Sequence, residues 1–106
     1  MGDLHDFGWR LVVTAGIKSA IEADSSFSGF LGECLGRFGA DDWGDVCSED
    51  RDANDAANTS GQGQVLAVYR LPAGLAHHRR SGDHQAQVWV VKDVVGVTTI
   101  LFPSEY

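Results

Sequence analysis

An α+β domain is the fold class this sequence predicts: an N-terminal strand and two to three helices packed on a three- to four-stranded antiparallel sheet. Three observations predict it. Phe27, Phe30, Leu31, Cys34, Leu35 and Phe38 recur at steps of three and four, the period of a helix with one buried face. From Gln64 onward the period changes to alternation, and VLAVYRL, AQVWVVKD and VTTILF are rich in valine, isoleucine, threonine and aromatics, as strands are. A length of 106 residues makes one domain, 1–106, able to bury a core without metal or disulfide support.

The elements follow in order. Trp9, Leu11 and Val13 alternate with Arg10 and Val12 as a short strand does, and Thr14 is placed to cap a helix through its hydroxyl. Ile17, Ala20 and Ile21 give that helix one apolar face, closed near Asp24. The core helix comes next, with Ser25 or Ser26 as cap and Gly39 as stop. Gly29, Gly32 and Gly36 lie inside it, each costing ~1 kcal/mol relative to alanine, and their spacing predicts a face for close approach of a helix or the sheet. In ADDWGDVCSEDRDANDAANTSG, Trp43 reads as a buried anchor and Ser48 as the cap of a longer helix. Glu49 and Asp50 suit the positive end of its dipole. Val46, Ala53, Ala56 and Ala57 form a narrow stripe of small residues toward a neighbour. TSGQGQ is a loop, Gly96 beside Asp93 marks a hairpin turn, and Pro103 stops the sheet. Val88–Val91 is apolar on both faces, which places it centrally, under helices on at least one side. PAGLAHHRRSGDHQ, between the first two of the three later strands, is longer than a hairpin needs, and surplus loop length is where function often sits.

The formal charge of −7 is unevenly distributed: residues 1–61 carry twelve acids against four bases, residues 62–106 three against four. Such a chain repels phosphates, which argues against direct nucleic-acid binding and against attachment to an anionic membrane. A protein partner with a basic surface remains compatible. No apolar run approaches the ~18 residues of a membrane span. MGDLHDFGWR lacks the basic start and apolar centre of a secretion signal, so the expected compartment is the cytoplasm. There Cys34 and Cys47 are expected as thiols, one buried and one partly buried, instead of a bridge.

The chemical constellations are weak. Asp50, Asp52 and Asn54 begin like a calcium loop, but position six is Asp55 where glycine is required and position twelve is Gly61 where a bidentate glutamate should close the shell. An acidic, water-facing helix explains the same letters. His5, His77, His78 and His84 with Asp83 invite a zinc reading, yet adjacent histidines such as His77 and His78 point apart on a strand and no Cys-x-x-Cys accompanies them. No metal and no cofactor are therefore expected. Cys34 falls on an apolar helix face, where a thiol is inert, and Cys47 stands among acids, a poor setting for a nucleophile. One catalytic constellation can be assembled: His77, His84, Arg79 and Arg70 could hold a phosphate and move a proton, as metal-independent ribonucleases do.

WGDVCSEDRDAND, followed by VLAVYRLP and VWVVKDVVGVTTILFPSEY, resembles a group of small bacterial proteins of unassigned function carried on plasmids, integron cassettes and other mobile elements. Trp43, Gly44, Asp45, Glu49, Asp50, Asn54, Tyr69, Trp89, Thr98, Thr99, Pro103, Glu105 and Tyr106 carry the likeness, which spans residues 38–106 and is faint over the first 25. The loop GLAHHRRSGDHQ departs from the pattern. The resemblance implies a non-enzymatic accessory or protein-interaction module, and the order of elements is also similar in layout to small ribonuclease toxins.

The leading expectation is thus a module that binds another protein through its acidic helix face, Asp41, Asp42, Asp45, Glu49, Asp50, Asp52 and Asp55, or through its sheet surface. The alternatives are the ribonuclease-like or phosphate-handling domain and an acidic nucleic-acid mimic acting on a host defence protein. Pairing of two copies through an edge strand or the glycine-bearing helix face is open to it.

Overall fold

A computed structural model describes the backbone of residues 4–6 and all of residues 10–106. The expected role of Trp9 in the first strand, and the side chain of His5, lie outside the described residues. Strand β2 (Leu11–Thr14) runs directly into helix α1 (Ala15–Ala23), which is followed by α2 (Ser25–Gly39) and α3 (Ser48–Ser60). Strands β3 (Val65–Arg70), β4 (Gln87–Lys92) and β5 (Thr98–Leu101) come after them, with short 3-10 helices at Ala73–His78 and Pro103–Glu105.

The α+β class holds, with one correction to the sheet. Strands β3, β4 and β5 form the expected antiparallel meander, but β2 joins β5 in parallel, pairing Leu11 with Thr98 and Val13 with Ile100. These four strands make a mixed sheet. Leu4–Asp6 extends it antiparallel beside β2 as β1, giving the order β1-β2-β5-β4-β3. The direction of β2 follows from its exit: α1 begins at Ala15 and carries the chain back over the sheet, and the helices and the β3–β4 hairpin all intervene before β5. A parallel pair needs such a long crossover.

Register separates two faces. Val13, Val65, Ala67, Tyr69, Val88, Val90 and Ile100 point to one side and are at most 1% exposed. They pack against Ile17 and Ala20 of α1 and Phe27, Leu31, Cys34 and Phe38 of α2. Leu66, Val68, Trp89 and Val91 alternate to the other side and are half-buried.

Several local expectations are corrected by tertiary partners. Thr14 is the N-cap residue of α1, but its hydroxyl does not close the helix: it donates to Glu105 Oε1 at 2.6 Å while the Gly16 N–H donates to Glu105 Oε2 at 2.9 Å. A carboxylate from 89 residues away therefore meets the positive end of α1. Asp24, not a serine, caps α2, accepting from the Ser26 N–H. Cys47, not Ser48, precedes α3 and makes no side-chain cap. Ala53 and Ala56 face water; the buried residue of α3 is Asn54. The three glycines of α2 approach nothing among the described residues, since a Cβ built on Gly29, Gly32 or Gly36 would meet none of their atoms within 4 Å. The Asp93–Gly96 turn forms as expected, with Gly96 at φ 88° and the Asp93 carboxylate accepting from the Val95 and Val97 N–H groups.

Candidate functional site

Seven carboxylates were expected to share one water-facing surface. All seven residues are exposed, but four of the carboxylates are engaged inside the protein. Asp42 takes two bonds from the Arg37 guanidinium, at 2.7 and 3.2 Å, and one from the Gly44 N–H. The Arg37 hydrogen bond chiefly, with Gly44 behind it, holds its carboxyl below the ordinary range. Asp45 pairs with Arg70 at 2.7 Å, Asp55 accepts from the Trp43 indole at 2.8 Å, and Asp41 accepts from the Asn58 amide at 2.9 Å. Glu49, Asp50 and Asp52 remain, on the outer side of α3, with no bonded partner among the described residues.

These bonds close the outer edge of β3. Val68 donates to the Trp43 carbonyl at 3.0 Å and accepts from the Asp45 N–H at 2.7 Å. One step along, the Asn54 amide donates to the Leu66 carbonyl at 2.8 Å and its oxygen accepts from the Leu66 N–H at 3.1 Å, so a side chain plays the part of a neighbouring strand. Gly44 has φ 76°, and a Cβ there would stand 2.0 Å from the Val68 carbonyl oxygen. The Tyr69 hydroxyl donates to the Asp42 carbonyl at 2.7 Å, and Arg37 lies 4.9 Å over its ring. Trp43, Gly44, Asp45, Asn54 and Tyr69, prominent as a sequence pattern, thus serve to cover an edge. The calcium-loop spacing dissolves in a regular helix with Asn54 turned inward.

The long excursion behaves differently from a strand. His77 and His78 end a 3-10 helix, and their rings lie side by side, centroids 4.1 Å apart and 38° from parallel. The expectation that they point apart assumed an extended backbone. His78 Nε2 stands 3.2 Å from Asp24 Oδ2, and its ring meets the Phe27 ring edge-on at 5.1 Å. Asp83, suggested as a companion of the histidines, is buried instead at the base of the loop: Oδ1 accepts from the Ser104 N–H at 2.8 Å, and Oδ2 is buried without a partner among the described residues. Arg79 donates to the Asp83 carbonyl. The nuclease set is not drawn together. His77 lines a groove with Ala20, Arg80 and Phe102, His84 a hollow with Gln87, Trp89 and Pro103, and Arg70 a third with Arg37 and Asp45. Cys34 is buried, its thiol pushed up to about 12 mainly by desolvation, whereas Cys47 is exposed, more than the sequence suggested.

Among the described residues α1 and α2 pack on the side of Val13, Tyr69 and Val90, and no α-helix packs on the side of Trp89 and Val91, the open face of the sheet. The segment after β5 crosses it, with the Tyr106 ring edge-on to Trp89 at 5.6 Å and the Tyr106 hydroxyl accepting from the Gln64 amide at 2.9 Å. Beside Tyr106 lies a mostly apolar hollow of about 190 Å³, lined by Val91, Val97, Thr99 and Leu101 with Gln64 and Asp93 at its rim. Among the described residues Tyr106, Val94 and Val95 are the large apolar side chains most exposed to water, at 58%, 65% and 59%. Both valines sit in the β4–β5 turn that borders the hollow. Among the described residues no helix is long and apolar enough to cross a membrane. Comparison with protein-family models, with curated proteins and with solved structures gives no match.

Sequence reasoning missed Asn54, Asp24 and Glu105 as structural anchors. Only Asp24 carried a local signal, an aspartate two residues before the Ser26 N–H it accepts from. The partners of Asn54 and Glu105 are remote in sequence.

Proposed function

We propose that this protein is a non-enzymatic interaction module of the cytoplasm that docks a partner protein on the open face of its sheet. One observation supports this reading above the others: Val91 and Tyr106 line an apolar hollow beside Trp89, next to the turn that exposes Val94 and Val95, with no α-helix among the described residues packed on it. Aromatic anchors in an apolar patch with a polar rim are what protein interfaces use. Glu49, Asp50 and Asp52, free of internal bonds among the described residues, add a negative field that steers a partner with a basic surface. An accessory role on a mobile element, as the sequence resemblance implies, fits a small acidic chain of this kind.

The test is affinity capture from the source cell with three baits. Retention of a partner is expected to fall at least about tenfold for a Val95→Asp, Tyr106→Ala bait, the loss typical of one hot-spot residue. It should fall less for Asp50→Asn, Asp52→Asn, with that loss shrinking as salt rises. Equal retention by all three baits would sink the sheet-face reading. Competition by DNA would move the assignment to a nucleic-acid mimic, and RNA cleavage abolished by His84→Ala would move it to the nuclease.

A further inference from the structure

We infer that Asp24, His77 and His78 form a binding site for a divalent transition-metal ion of the zinc class, joining the long β3–β4 excursion to the junction of α1 and α2. One ligand atom from each of the three residues lies within 4.8 Å of the other two. The chain is extended at Asp24 between two helices, with φ −151° and ψ 108°, so this carboxylate is held at a corner of the helical layer. Its Oδ1 is occupied by the Ser26 N–H and hydroxyl, and Oδ2 is turned to His78 Nε2 at 3.2 Å. Two ligands bound to one tetrahedral ion at 2.0–2.1 Å stand roughly 3.3 Å apart, close to the separation already present. His78 is further fixed by the edge of Phe27, so two of three ligands are oriented before any ion arrives.

His77 supplies the third donor. Its ring is exposed and lies beside that of His78, with a donor nitrogen within 4.8 Å of the other two ligand atoms, so the ion would draw this ring in about its rotatable side-chain bonds. Two imidazoles and one carboxylate are a borderline donor set that selects Zn²⁺, Ni²⁺ or Cu²⁺ over Mg²⁺ and Ca²⁺, which prefer all-oxygen shells. Three protein ligands leave one position to water. Arg80 lines the same groove and its charge opposes a cation, which keeps affinity below that of a four-ligand structural site. The ion acts as a clamp, tying residues 73–86 to the helices through groups that otherwise meet by a single hydrogen bond.

Calorimetric titration of the full chain with Zn²⁺, with Mg²⁺ as control, tests the site. One saturable Zn²⁺ site per chain is expected, weakened at least about tenfold by His77→Ala and by Asp24→Asn and unchanged by His84→Ala. Asparagine retains an oxygen to cap α2, and His77 is exposed, so both variants should fold, which circular dichroism checks. In the wild type, Zn²⁺ should shift the imidazole ¹⁵N resonances of His77 and His78 and leave those of His84 in place. Absence of saturable binding, or binding that His77→Ala leaves intact, overturns the site.

Discussion

The two faces of one sheet divide labour between residues that are immediate neighbours in sequence. Tyr69 and Val88 face the helices and are fully buried, whereas Val68 and Trp89, each one step away and paired across the same two strands, face the open side and are half-buried. On the first face, side chains fill space between packed layers and their loss leaves a cavity. On the second, Leu66, Val68, Trp89 and Val91 keep part of their surface open, although Leu101, paired with Trp89, is only 1% exposed. The lesson is that size alone does not rank a side chain here; what ranks it is how completely the rest of the chain covers it.

Truncations on the two faces break or sharpen this contrast. Tyr69→Ala should cost most, about 3–5 kcal/mol by denaturant unfolding, since it empties a buried site and removes the bond to the Asp42 carbonyl. Trp89→Ala, although it deletes a larger ring, should cost about 1–2 kcal/mol, and a loss equal to that of Tyr69→Ala would contradict the division. Asn54→Ala falls between, at about 1–3 kcal/mol, because it leaves the Leu66 N–H and carbonyl at the β3 edge without partners. Its characteristic readout is amide exchange, which should speed up at Leu66 more than at Tyr69.

Smaller effects probe the rim of the helix-covered side. Gly32→Ala should stabilise by about 0.5–1 kcal/mol, because the position is open to water and inside a helix. A destabilised Gly32→Ala would mean that the face is packed after all. The smallest effect concerns acid. The carboxyl of Asp42 is lowered in the folded protein from its ordinary 3.8, so its contribution is present above that value and is lost as pH falls through the lower folded value. Asp42→Asn should therefore flatten the decline of melting temperature below pH 4 while leaving the slope near neutrality unchanged.

Much of the frame was legible in the residues. The α2 face of Phe27, Leu31, Cys34 and Phe38, the meander from Val65 to Leu101 and the turn at Gly96 are set by local period and turn chemistry, and they stand where that chemistry puts them. The direction of β2 was not legible, because it depends on the path of three helices and not on any residue in Leu11–Thr14. Caps were misread for a related reason: Thr14 has a capping hydroxyl, but a glutamate 91 positions on reaches it. At the candidate sites, exposure of the acids was foreseen and their engagement was not. Asp41, Asp42, Asp45 and Asp55 look the same as Glu49, Asp50 and Asp52 until Arg37, Arg70, Trp43 and Asn58 are placed beside them. The closeness of His77 and His78 hid behind a wrong backbone, since a strand separates adjacent side chains and the end of a 3-10 helix did not.

The bond from Glu105 to the start of α1 has a temporal side. A ribosome delivers Thr14 and Gly16 early, yet the group that satisfies them emerges only after residue 105 is made, and β2 likewise waits for β5 before its parallel neighbour exists. Strand β2 and helix α1 must therefore bide unfinished through most of synthesis, and in nascent chains halted before Thr98 protease should still cut within Leu11–Ala23.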